Sequence, residues 1–268
     1  VLNSIPAGTE DFNMKAFEIP EASRIAKGTA IVNLLNLKAG EKVLSIIIVD
    51  EEKDRKKYIT LATKKGLVKK TAVKLYDNIR QSGIVAITLN EGDELVWGKV
   101  TTGEDNIMLI THDGKSIRFS ETEVKSSQRD TKGVKGITLK SGDYVVGVEV
   151  FRDDSVVFKE NSLMIITENG MGKRTLLKHY PLQKRSGLGV KVSEITKRTG
   201  KVAAAKLISD RHNEIVISTK SGKAIKMPIS KKSIPTLTRP TQGVILMKLE
   251  DNDQIAAVAL TVGEDDKT

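Results

Sequence analysis

An all-β chain of repeated four-stranded units, arranged as a propeller-like array, is the fold class this sequence predicts. Three observations predict it. Two signatures recur at a common period of about 50 residues, each unit reads as short apolar runs broken by glycine turns, and no long helical periodicity occurs.

The first signature is T-x-x-G-x-x-x-[KR]. It appears as Thr63 to Gly66 with Lys70, Thr111 to Gly114 with Arg118, Thr167 to Gly170 with Arg174, and Thr219 to Gly222 with Lys226. Those glycines lie 48, 56 and 52 residues apart. The second is a glycine that opens an apolar alternation, at Gly28, Gly83, Gly133, Gly189 and Gly243, with spacings of 55, 50, 56 and 54. Two independent markers sharing one period indicate repeats.

Within a unit, an apolar run such as Ile107-Met-Leu-Ile110 or Leu163-Met-Ile-Ile166 leads into a polar turn closed by glycine. Asp-Gly and Asn-Gly tolerate the positive φ of hairpin turns, so this pair of runs reads as a hairpin. A polar loop then reaches the second glycine and another strand. An acidic-glycine turn, Glu91-Gly-Asp93 or Ser141-Gly-Asp143, leads to the last one. Residues 74–80 and 120–127 read as single helical turns. Four full units are expected at 58–105, 106–160, 161–214 and 215–262, with a partial unit at 17–57 and tails at 1–16 and 263–268, all in a single domain. Gly8-Thr-Glu-Asp-Phe12 places Phe where the first signature has its basic residue. No such unit buries both faces alone, so neighbours must stack.

Composition narrows the function. The chain holds 44 Lys+Arg against 34 Asp+Glu, net +10, which suggests a polyanionic partner. The excess is concentrated in residues 161–214, with eleven basic and four acidic groups. There is no cysteine, no run long enough to span a membrane and no secretory signal at the N-terminus, so a cytoplasmic location is expected. His112, His179 and His212 fall in three units without metal-ligand spacing, and no P-loop, H-E-x-x-H or G-x-S-x-G occurs. Tyr58 and Tyr144 read as strand core, and Tyr76 and Tyr180 as packing residues. At 4% aromatics, stacking platforms for single strands are not expected.

The candidate contacts are cationic. Arg24, Arg129, Arg185 and Arg239 each precede the second glycine by four residues, and Arg80 precedes Gly83 by three. Lys27 and Lys132 stand beside them. Arginines at equivalent places in similar units fall at similar heights along one edge, where they suit a curved polyphosphate. Lys70, Arg118, Arg174 and Lys226 form a second row if their side chains face outward. The richest stretch is Gln183-Lys184-Arg185-Ser-Gly-Leu-Gly189, with Lys173, Arg174, Lys178 and Lys191 nearby. The reading favoured by these residues is duplex DNA bound by a non-catalytic module. A propeller-type scaffold for an acidic protein is the alternative, and would show apolar hot spots instead.

Three stretches carry a family resemblance: Glu18-Ile-Pro-Glu-Ala-Ser-Arg-Ile-Ala-Lys-Gly-Thr-Ala-Ile-Val-Asn-Leu-Leu35, Ala62-Thr-Lys-Lys-Gly-Leu-Val-Lys-Lys-Thr71 and Thr167-Glu-Asn-Gly-Met-Gly-Lys-Arg-Thr175. They resemble the C-terminal domain of bacterial DNA gyrase A subunits, from about Phe17 to Leu260. The topoisomerase IV counterpart is similar, and the Ile-Pro-Glu-Ala-Ser-Arg run favours gyrase. The resemblance implies a six-bladed β-pinwheel whose blades exchange a strand. It implies DNA wrapped on a basic rim in support of ATP-dependent negative supercoiling. It also implies that the catalytic tyrosine, ATP and Mg belong to the rest of an A2B2 holoenzyme near the nucleoid. The implied protein partners are the N-terminal part of the gyrase A subunit, together with the gyrase B subunit, and no cofactor is bound by this chain. The family's Q-R-R-G-G-K-G box belongs to the first blade, and residues 1–16 do not match it. Residues 183–189 come nearest, with Lys184, Ser186 and Leu188 where the box has Arg, Gly and Lys. The first blade is therefore expected to be absent, which makes gripping DNA a safer expectation than wrapping it.

Overall fold

A computed structural model describes residues 2–6, 10–14, 18–23, 26–30, 33–35, 43–50, 52–77, 84–152 and 157–262. The chain divides into two compact units, Val1–Glu104 with Glu121–Lys135, and Asp105–Ser120 with Gly136–Thr268. The predicted third repeat is thus shared between them: its first hairpin belongs to the second unit and its Glu121–Lys135 segment to the first.

The first signature builds a hairpin. In the first unit, β4 (Tyr58–Thr63) and β5 (Leu67–Ala72) pair antiparallel around Thr63-Lys-Lys-Gly66. The Gly66 N–H donates to the Thr63 carbonyl at 3.0 Å, and the Leu67 N–H to the Thr63 hydroxyl at 3.1 Å. Gly66 has φ +81°, a conformation that needs glycine. The same backbone bond closes the turns at Gly114, Gly170 and Gly222, so the Thr and the Gly of the signature are both turn residues.

A third strand, β7 (Leu95–Thr101), flanks β4, with a register shift between Ala62 and Thr63. The fourth, β10 (Val134–Lys135), follows the next repeat's Gly133 and pairs with β5, so this sheet, like every four-stranded sheet among the described residues, borrows an outer strand from the next repeat. The other sheet of this unit has the same plan. It joins β1 (Leu2–Pro6), β2 (Glu10–Met14) and β3 (Val43–Ile48) to β6 (Ile84–Val85) in the order β3-β1-β2-β6. Residues 2–6 and 10–14, expected to lie in a tail, therefore supply two antiparallel strands, and the expected partial first repeat contributes to a four-stranded sheet.

The second unit holds three sheets. β8 (Asn106–Thr111), β9 (Lys115–Ser120) and β11 (Val145–Phe151) take β14 (Val190–Lys191) as their outer strand. β12 (Ser162–Thr167), β13 (Met171–Leu176) and β15 (Val202–Ile208) take β18 (Val244–Ile245). β16 (His212–Thr219), β17 (Ala224–Pro228) and β19 (Ile255–Val262) form a three-stranded sheet. Among the described residues the expected helical turns at 74–80 and 120–127 are short 3₁₀ segments at Val73–Tyr76 and Glu121–Glu123, with another at Leu177–His179; residues 78–80 lie outside the described ones.

Within each unit, cores lie between successive sheets. Met108 and Ile110 of β8 pack with Leu163 and Ile165 of β12, and Met164 and Ile166 on the other face of β12 pack with Ile215 and Ile217 of β16. In the first unit Ile59 and Leu61 meet Ile47 and Val49. Each such side chain contributes about 1.5–3 kcal/mol by leaving water, and none of it is available to a lone sheet. Tyr76 and Tyr180 are buried in these clusters, as expected of packing residues.

The second signature glycine marks where the borrowed strand crosses its neighbour's backbone. A side chain on Gly243 (φ +88°) would press on the Gly172 carbonyl, and one on Gly189 on the Ser116 carbonyl. Gly243→Ala is expected to destabilise the second unit by about 1–3 kcal/mol, from strain at positive φ and loss of the β13–β18 pairing. Thermal melting checks this; an unchanged melting temperature would show that the crossing has room to spare.

Candidate nucleic-acid interface

After the 3₁₀ turns Glu121–Glu123 and Leu177–His179, and after the turn closed by the Ile234 N–H on the Ser230 carbonyl, the chain runs beside the preceding repeat's β5, β9 and β13. It forms parallel bridges from Ser126 to Lys70, Leu182 to Arg118 and Thr236 to Arg174. The bonds repeat: Ser127 N–H to the Lys70 carbonyl at 2.9 Å, Gln183 N–H to Arg118 at 2.8 Å, and Leu237 N–H to Arg174 at 2.8 Å. The loop that follows carries the arginine. It is fastened again by the preceding repeat, because Thr88 N–H donates to Thr131, Thr138 N–H to Gly187 and Glu194 N–H to Thr241. All three acceptors lie two residues before the second glycine. Arg129, Arg185 and Arg239 therefore sit at structurally equivalent places on loops tied at both ends.

The exposure of these cations varies. Arg129 is half-buried, and its guanidinium has no hydrogen bond or ion pair among the described residues. Arg239 donates one N–H to the Lys191 carbonyl at 2.9 Å, and Arg185 one to Ser186 Oγ at 3.3 Å. Lys27, Lys132 and Lys184 are exposed. Lys191 is exposed and pairs with Glu194 at 2.7 Å. Gln183 turns its side-chain oxygen inward. Arg24 and Arg80 lie outside the described residues.

The second row is not a row of outward cations. Lys70 and Arg118 are only 6% and 5% exposed. Lys70 Nζ donates to the Glu121 carbonyl at 3.0 Å and lies over the Tyr58 ring. Arg118 donates to Asn106 Oδ1 at 3.3 Å and to the Tyr180 carbonyl at 3.2 Å, with its guanidinium 4.2 Å from the Phe158 ring centre. Arg174, half-buried, donates to the Ile234 carbonyl at 2.9 Å. Each binds a carbonyl in the segment entering the next loop, so these three brace repeat to repeat. Burial lowers the pKa of Lys70 and of Arg174. Lys226 alone faces solvent, and it is paired with Glu214. Lys173 is also wholly buried, so the charge presented by residues 161–214 is smaller than their composition suggests.

A basic cleft escaped the sequence reading. Arg55, Lys56, Lys57 and Lys74, with Ser126, Ser127 and Gln128, line a cavity of about 910 Å³ next to the Arg129 loop. Lys57 is tied to Asp54 at 2.6 Å and Arg55 lies 4.0 Å from Asp77, whereas Lys56 and Lys74 are exposed without a partner among the described residues. Their one sequence signal was the run Lys53-Asp-Arg-Lys-Lys57, masked by the acidic residues around it.

Five successive stretches, 12–50, 57–102, 105–152, 161–209 and 213–261, match the family model described as DNA gyrase C-terminal domain, beta-propeller. The chain belongs to the DNA gyrase C-terminal domain family. Among relatives of this gyrase family, it is 38% identical over 256 residues to the DNA gyrase A subunit of Dehalogenimonas lykanthroporepellens, covering 94% of this chain and 30% of that protein. It is 36% identical over 255 residues to the Staphylococcus epidermidis counterpart, covering 95% and 28%. The chain thus spans under a third of the length of these relatives. Two solved structures share the fold at 24% identity. The C-terminal domain of DNA topoisomerase IV has a TM-score of 0.86, covering 98% of this chain and 79% of that one. The DNA gyrase A C-terminal domain has a TM-score of 0.78, covering 97% and 82%. The fold is therefore the β-propeller or pinwheel class expected from the repeats.

Proposed function

We propose that this chain is the duplex-DNA-binding module of a gyrase A protein, gripping and bending DNA along its arginine loops to support ATP-dependent supercoiling by an A2B2 holoenzyme. The observation that carries this reading is the repeated tethering of Arg129, Arg185 and Arg239 at equivalent places, with guanidinium groups at the loop surface within reach of phosphate. The contacts are cations on loops rather than a helix or ribbon fitted to a groove, so binding is tolerant of sequence. In this reading strand cleavage, ATP and Mg belong to the N-terminal part of the gyrase A protein and to its gyrase B partner, in the cytoplasm at the nucleoid. Among the described residues no helix is long and apolar enough to cross a membrane. A second reading, a topoisomerase IV module, is favoured by the TM-score of 0.86. The relatives at 36–38% identity are gyrase A proteins, which favours the first.

The test is to bind the chain to nicked circular DNA, seal the nick and measure linking number. A shift that grows with bound protein is expected. Tight binding without a shift would limit the module to gripping, and absence of binding would overturn the proposal.

A further inference from the structure

The residue three places after the first signature glycine alternates along the chain: Lys69, Ile117, Lys173 and Ile225. Lys69 is 2% exposed and Lys173 is 0% exposed. A buried ammonium is costly unless all three of its N–H donors are used. Here they are. Lys69 Nζ donates to Thr71 Oγ1, the Ala86 carbonyl and the Arg129 carbonyl, each at 2.8 Å. Lys173 Nζ donates to the Thr238 carbonyl at 2.7 Å, to Thr241 Oγ1 at 3.1 Å, and to the Arg239 carbonyl. In two different sheets the shared acceptor is the carbonyl of the loop arginine itself. Burial lowers both lysines to about 8, so both keep their proton at neutral pH.

The fold does not need a lysine at this position, because Ile117 occupies it in the repeat between them. The loop above Ile117 differs in kind. It is 183–189, where Ser186 takes φ +69° and a side chain on Gly187 would lie 3.3 Å from Ile117 Cδ1. Where the lysine is present the loop has no internal glycine. Instead a threonine hydroxyl two residues before the second glycine closes it, Thr131 to the Gln128 carbonyl at 2.8 Å and Thr241 to the Thr238 carbonyl at 2.9 Å.

We infer that Lys69 and Lys173 are positioning residues for DNA contact, each a buried ammonium peg that fixes the backbone of the arginine loop above it. The inference rests on the reading that these arginines meet phosphate. Neither lysine reaches solvent, so neither touches DNA. Each sets where Arg129 or Arg239 can.

The test is a mutant cycle of Lys173→Met and Arg239→Ala, read as duplex affinity against salt at a temperature where melting curves show every variant folded. Lys69→Met with Arg129→Ala provides the same cycle should Lys173→Met fail to fold. Each single variant is expected to weaken binding about tenfold and to make the slope of log affinity against log salt shallower by about one, since one phosphate contact is lost. The double variant is expected to be no weaker than Arg239→Ala. Wild-type affinity and slope in the lysine variant, beside a loss in the arginine variant, would overturn the inference. So would losses that simply multiply in the double, because a lysine acting through bulk charge would be independent of the arginine. No loss in Arg239→Ala itself would overturn the contact reading for that loop, and the inference with it.

Discussion

Arg118→Ala is expected to destabilise the second unit by about 2–4 kcal/mol, whereas Lys226→Ala, at the same place in the repeat, is expected to change stability by less than about 0.5 kcal/mol. The difference follows from burial. Truncating Arg118 removes the donor to Asn106 Oδ1 and to the Tyr180 carbonyl and opens a void against Phe158. Lys226 is 59% exposed and loses only a solvated pair with Glu214. Urea unfolding of the two variants measures the contrast, and equal losses would contradict the assignment of Arg118 as a brace between repeats.

Removing Arg129, Lys184, Arg185 and Arg239 together, each to alanine, is expected to lower duplex affinity at least a hundredfold at moderate salt, since about four phosphate contacts are lost. Melting temperature is expected to move little, because these groups are exposed or half-buried at loop surfaces. Filter binding or fluorescence anisotropy gives the affinity. If removing Lys56 and Lys74 instead has the larger effect, the basic cleft and not the arginine loops carries the contact.

Much of this was legible in the sequence because repetition amplifies weak signals. Thr63 and Gly66 alone would be one turn among many; four copies at one spacing define a hairpin. The second glycine was legible as a marker, but its cause is a crossing over a neighbouring repeat's backbone, which no local pattern states. Direction of side chains was the main failure. Lys69 and Lys70 are adjacent in β5, so in a sheet with one wet face one of them would be exposed. Both are buried, because inner strands here are covered on both faces and the period of two loses its meaning. Glu121 shows the same limit. It stands where other repeats carry Val73, Leu177 and Ile229, yet it is fully buried, taking bonds from Thr60 and from the Gly103 N–H at 3.1 and 3.0 Å. The strand pair of residues 2–6 and 10–14 was missed because Gly8-Thr-Glu-Asp-Phe12 lacks both the Thr-x-x-Gly pattern and the basic residue. Its strands are defined by pairing with β3 and β6, distant in sequence.

If duplex DNA is held through cations on the repeated loops, as proposed, the affinity of the wild-type chain for DNA depends steeply on salt. With ~6 to 10 phosphates neutralised, affinity for a linear duplex should fall ~10³ to 10⁵-fold between about 50 and 200 mM salt. A shallow slope over the same range, or binding that salt does not weaken, would contradict it.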